Sequence, residues 1–260
     1  MPTGWDDTAA FLHGRTRVIG ALARAHGIAH PQWWHIALRV RADGLSTVPL
    51  PLVGGGAASI LLDLVGESTV VRSSNGTVET IPFDAHDSVA DYSQALVAVA
   101  SRVGLDKQAD LPDIEADGRY DPGHGGVLWT ALVDVGAVLE TRRAVLPGAA
   151  GPVCFWPHGF DLSFEWFGSR VVEQRDGRDI HAQLNLGFYP RGDAYVYSSP
   201  WPFDEALLSS PLPTGARWNT EEWKGSLMPF SGLRDDPSWG ERVLGYADTV
   251  YEAVRPGLMA

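Results

Sequence analysis

Four residues in the second half of the chain have the chemistry and spacing of an acid–base site: His158, Asp161, Glu165 and His181. Side chains two apart on a strand share a face. If Phe160, Leu162, Phe164 and Trp166 point to the core, Asp161, Ser163 and Glu165 point away from it. The next alternating run places Ala182, Leu184, Leu186 and Phe188 on one side and His181, Gln183, Asn185 and Tyr189 on the other. Paired, the two strands are expected to gather Asp161, Glu165, His181 and Asn185 on one surface, with His158 at its edge. A carboxylate beside an imidazole orients it and tunes its proton affinity for proton transfer. His158, His181 and one of the carboxylates also form a two-histidine, one-carboxylate set of the kind that holds a metal, although no His-Glu-x-x-His spacing accompanies them. The plain alternative is an antiparallel sheet that shows its polar face to water.

Further residues are candidates for holding a ligand. His35, Arg39 and Asp63 form the equivalent polar surface in the first half, although His35, between tryptophans and an apolar run, also suits a structural role. Asn185 and Tyr189 border the second-half surface, and Trp218 and Trp223 lie in a Pro- and Gly-rich stretch suited to capping a pocket or filling a core. No Gly-x-Ser-x-Gly elbow is present, and Gly54-Gly55-Gly56 lacks the lysine of a phosphate loop and the spacing of a dinucleotide fingerprint. The cofactor is left open.

The elements that must position these residues follow from periodicity and turn chemistry. Helices are expected over residues 7–26, 88–103, 127–145 and 237–254, the first capped by Asp6 or Asp7 and stopped by Gly27. Strands are expected over 34–40, 45–50, 60–65, 69–72 and 77–81, then over 153–156, 160–167, 170–173, 182–189 and 194–198. Asp43-Gly44, Ser74-Asn75-Gly76 and Asp176-Gly177 supply turns between them. A short helix is expected at 204–209. The stretch 106–126, rich in Asp, Pro and Gly, is the best boundary.

The order helix, strands, helix therefore occurs twice. Trp34 to Val40 lines up with Phe160 to Trp166, Leu62-Asp63-Leu64 with Leu184-Asn185-Leu186, and Pro82-Phe83-Asp84 with Pro202-Phe203-Asp204. The fold expected is α+β, with two similar halves, each a mostly antiparallel sheet flanked by helices, and a possible internal duplication. The halves are 1–118 and 119–260, the latter carrying the candidate site. One continuous sheet in a single domain is the alternative.

Composition sets the outer limits. The chain has 260 residues, 45% hydrophobic and 20% charged, enough for one large core or two small ones. A formal net charge of −12 without any basic run argues against nucleic acid or anionic lipid as partner. The single cysteine, Cys154, excludes an intrachain disulfide. No stretch is apolar and long enough to span a bilayer, and the N-terminus does not read as a signal peptide, so a cytoplasmic location is expected. Oligomeric state is not legible.

Several motifs, in order, carry a resemblance. They are Trp33-Trp34-His35-Ile36-Ala37-Leu38-Arg39-Val40, Gly44-Leu45-Ser46-Thr47-Val48-Pro49-Leu50-Pro51, Ser88-Val89-Ala90-Asp91-Tyr92, Tyr120-Asp121-Pro122-Gly123 and Phe155-Trp156-Pro157-His158-Gly159-Phe160-Asp161-Leu162. Over most of its length the chain resembles the bacterial family of unknown function numbered 5996. That resemblance implies no activity, cofactor or catalytic residue. The family's wording has Trp and Gly at the positions of Pro157 and His158, so a chemistry built on His158 would not be shared family-wide. The functional expectation is an enzyme acting on a small polar molecule by acid–base chemistry. The alternatives are a non-catalytic small-molecule binder, a metal-dependent enzyme or a protein-interaction module.

Overall fold

The structure, a computed structural model, describes residues 4–114 and 118–259. Part of the expected boundary stretch, Glu115, Ala116 and Asp117, lies outside the described residues. The chain opens with helix α1 (Asp6–His26) and strands β1 (Arg39–Val40), β2 (Gly44–Ser46), β3 (Leu50–Pro51) and β4 (Ala57–Asp63). Strands β5 (Ser68–Ser73) and β6 (Val78–Pro82), a 3₁₀ turn (Phe83–Ala85) and helices α2 (Val89–Val103) and α3 (Pro122–Val145) follow. Then come β7 (Ala149–Ala150), β8 (Cys154–Trp156), β9 (Asp161–Arg175), β10 (Arg178–Tyr189) and β11 (Tyr195–Trp201). A second 3₁₀ turn (Glu205–Ser209), β12 (Arg217–Asn219), β13 (Gly225–Pro229) and α4 (Trp239–Met259) end it. The α+β class holds, with two mostly antiparallel sheets. Contacts divide the chain into two compact units, Met1–Val133 with Cys154–Phe160, and Asp134–Val153 with Asp161–Ala260.

In the first unit, α1 buries Phe11, Val18, Ile19 and Leu22 along one stripe. The expected aspartate cap is not made. Trp5 takes the cap position with helical backbone angles, and Asp6 and Asp7 stand in the first turn, where their charge complements the helix dipole. Helix α2 is capped by Ser88, whose hydroxyl accepts the Asp91 N–H at 3.0 Å. Gly104 closes it in the left-handed conformation at φ 101°. The sheet runs β1-β2-β4-β5-β6, with β3 also on β4. Along β4, Ala58, Ile60 and Leu62 face the core in strict alternation.

The strand expected over 34–40 shrinks to Arg39–Val40. Trp33 has φ 61°, and the Ile36 N–H returns to the Trp33 carbonyl at 3.0 Å, closing a turn. His35 Nδ1 accepts the His30 N–H at 3.2 Å. Backbone donors are thus satisfied locally, and only Leu38 reaches a strand, bridging Phe155 with two bonds of 2.8 Å.

The second unit's sheet runs β12-β13-β11-β10-β9-β7. Its apolar face carries Leu162, Phe164, Trp166, Leu184, Leu186 and Phe188, all at most 1% exposed. Helix α4 packs on this sheet with Val243, Tyr246, Val250 and Tyr251 buried. Trp166 Nε1 donates to the Pro147 carbonyl at 2.6 Å, and its ring meets Tyr251 edge-on at 5.0 Å. Under α4 the hydroxyls of Ser198, Ser226 and Tyr246 form a buried chain with links of 2.7 Å. Burial raises the Tyr246 pKa, so its proton stays on as a donor. Tyr246→Phe should cost about 1 kcal/mol in urea unfolding, because Ser226 loses a partner inside the core. An unchanged midpoint would mean that the hydroxyl chain contributes nothing.

Candidate functional site

The second sheet's other face carries several of the candidate polar side chains. Register sets Asn185 opposite Glu165, and Gly187 opposite both Ser163 and Tyr197. Directly paired residues share a face, so Asp161, Ser163, Glu165, Asn185 and Tyr197 lie on one side. It is not a solvated face: Ser163 is 2% exposed and Glu165 8%. Asp161 is half-buried. Its Oδ2 accepts the Tyr197 hydroxyl at 2.5 Å. Burial pushes the Asp161 carboxyl up to about 6, against the opposing pull of that hydrogen bond. Burial, and then the neighbouring Asp161 charge, lift the Tyr197 phenol well above its ordinary range.

Aromatic rings frame this pair. Tyr195 lies 5.3 Å from Tyr189 and 6.2 Å from Trp223, ring centre to ring centre, and Tyr197 lies 6.0 Å from Trp223. Gly225 leaves room for Trp223, whose ring comes within 2.5 Å of where a Cβ would stand. The result is a half-buried acid whose proton affinity falls near neutral pH, beside a phenol and a wall of π-faces. Such an acid can accept or give a proton at physiological pH.

The other expected site residues fall elsewhere. His181 is exposed and pairs with Val171, because β9 carries two extra residues between Phe167 and Val171 while β10 advances only from Gln183 to His181. His181 stands seven residues along β10 from Phe188, the partner of Leu162 beside Asp161, about 23 Å at strand rise, so the length of the strand itself keeps it from Asp161. Glu165 and Asp161 stand four residues apart on one strand, about 13 Å, too far to act as a carboxylate pair. His158 lies in the first unit, exposed, with its ring edge-on to Trp156 at 5.9 Å. His35 is 7% exposed and stacks on Trp33, with burial and then His30 lowering its pKa; it is a packed, hydrogen-bonded residue. The Arg39 guanidinium donates to Cys154 Sγ. Trp218 turns its indole N–H to the Ser210 carbonyl at 2.9 Å and pairs with Ser226, on the face opposite Trp223.

The structure therefore joins Asp161 with Tyr189 and Trp223, and sets Glu165 against Asn185. It does not bring His181 to them. Among the described residues, no three His, Cys, Asp or Glu side chains come together as a metal-holding group. Sequence reasoning did not single out Tyr195 and Tyr197. Their two-residue spacing in a strand next to β10 was the available signal.

A family model described as a family of unknown function (DUF5996) matches residues 2–256. No curated protein and no solved structure matches the chain.

Proposed function

We propose, for a chain that belongs to the family of unknown function DUF5996, that it binds a small polar molecule and moves a proton on it through Asp161. The observation that supports this is the half-buried Asp161 carboxyl, lifted to about 6 and held by the Tyr197 hydroxyl at 2.5 Å. At neutral pH such a carboxylate is ionised and still basic enough to take a proton from carbon or nitrogen. Tyr197, fully protonated, steadies whichever form results. Tyr189, Tyr195 and Trp223 offer flat surfaces for the rest of the ligand. Further along the same face, the Asn185 Oδ1 is buried with no hydrogen-bond partner among the described residues, an acceptor for a ligand N–H or O–H.

Exchange of the protons next to a carbonyl, followed by NMR in heavy water over a panel of small ketones and 2-oxo acids, tests the reading. The wild type should catalyse exchange of at least one member, with a rate that rises through about pH 6. Asp161→Asn should lower that rate by roughly a hundredfold or more. An equal rate in the variant, or no exchange anywhere in the panel, would sink the proposal.

The finer organisation belongs to the same proposal. The halves 1–118 and 119–260 descend from a duplication: β4-β5-β6 and β9-β10-β11 are both antiparallel meanders. Each leads through Pro-Phe-Asp, Pro82-Phe83-Asp84 or Pro202-Phe203-Asp204, into a 3₁₀ turn. Cytoplasmic residence is supported by Cys154, buried as a free thiol. Among the described residues, no helix is long and apolar enough to cross a membrane.

A further inference from the structure

His181, far along β10 from Asp161, stands at a different cavity. This space, of about 360 Å³, lies in the second unit between β9 and the end of α4. Its volume is at the small end of the range of small-molecule sites. Trp166, Phe167 and Met259 give it apolar walls. The ionisable lining residues are His181, Arg255 and Tyr251, with no carboxylate among them. That is unusual in a chain of net charge −12. The large cavity of the first unit, by contrast, is lined by Asp7, Glu67, Asp84 and Asp87.

Tyr251 adds the observation that points to a ligand. The residue is 3% exposed, and its hydroxyl is buried without a hydrogen-bond partner among the described residues. Its ring is fixed between the Trp166 edge at 5.0 Å and the Arg142 guanidinium at 4.9 Å. A buried phenol with an unused donor is a cost that an acceptor can remove. Arg255, exposed at the cavity, makes no ion pair among the described residues. A cation, a phenolic donor and an indole wall together match a flat apolar molecule ending in a carboxylate.

We infer that this cavity is a binding site for a one- or two-ring aromatic carboxylate, separate from the face that carries Asp161. The carboxylate accepts from Arg255 and Tyr251, and the rings lie against Trp166 and Met259. Calorimetric titration with 1-naphthoate, run beside its neutral amide, tests this. Saturable naphthoate binding is expected, weakened roughly tenfold by Arg255→Met and several-fold by Tyr251→Phe, with the amide weaker than the acid. Arg255 is exposed and Tyr251→Phe keeps the ring, so both variants should melt as the wild type does, which the same samples report. Absence of saturation up to about 10 mM, equal affinity in both variants, or preference for the amide would overturn the inference.

Discussion

Gly187→Ala should destabilise the protein by about 2–3 kcal/mol in urea unfolding and disturb the Asp161–Tyr197 pair at the same time. Gly187 has no left-handed backbone to protect; its constraint is space. A Cβ there would stand 2.6 Å from two atoms of the Tyr197 ring and 2.7 Å from the Leu162 carbonyl oxygen. The ring can swing, but the carbonyl belongs to the β9 backbone paired with β10 and cannot. Relief therefore has to come from Tyr197, whose hydroxyl is then drawn off Asp161. The Asp161 carboxyl loses the larger of the two hydrogen bonds that lower its pKa against burial, so its titration should move up from about 6. Carbon-13 NMR of the aspartate carboxyls reads that shift directly. Wild-type stability with an unmoved titration would show that the ring does not depend on the glycine.

The same residues show what was legible in the sequence. Helices announced themselves because each buries a continuous stripe: Phe11, Val18, Ile19 and Leu22 on α1; Tyr92, Leu96, Val99 and Val103 on α2. Period-two alternation likewise put Leu162, Phe164 and Trp166 opposite Asp161, Ser163 and Glu165. Alternation gives faces, but it does not say what covers them. Ser163 and Glu165 are buried like core residues although they are polar. Nor does alternation show a register shift. Gly168, where a Cβ would stand 1.9 Å from the Leu258 carbonyl oxygen, marks the place where β9 bulges and α4 comes close. That contact joins residues 90 positions apart, and no local pattern in either segment encodes it. His181 falls outside the expected cluster because antiparallel pairing of Asn185 with Glu165 sends it and Asp161 toward opposite ends of the two strands, and the bulge only changes its partner to Val171. The run 34–40 misled in the opposite way: its alternation is real, but His30 and Trp33 close it into turns through bonds that periodicity does not register.

Asp161→Asn should stabilise the protein at pH 7, by on the order of 2 kcal/mol, and leave it unchanged near pH 4. The folded protein holds the Asp161 proton up to about 6, well above the ordinary carboxyl value of 3.8 that the unfolded chain approaches. Between those values the folded state binds more protons than the unfolded state. The favourable contribution is complete below the unfolded pKa and is lost as pH rises through the folded one. Above about pH 6 the wild type carries a half-buried charge that asparagine avoids, while the amide oxygen still accepts the Tyr197 hydroxyl. The shift alone would give somewhat more, and the solvent that reaches a half-buried group reduces it. His26 and His35, whose pKa values burial lowers, contribute the opposite slope as pH falls below 6.5, but both forms of the protein share them, and the difference curve removes them. Urea unfolding of wild type and variant at half-unit steps from pH 4 to pH 7 gives that curve. A rise confined to the range between about 4 and 6 would show an acid kept near neutral pH by its surroundings, the property proton transfer needs. A flat difference would mean that Asp161 titrates as an ordinary carboxylate, and the proposed chemistry would lose its base.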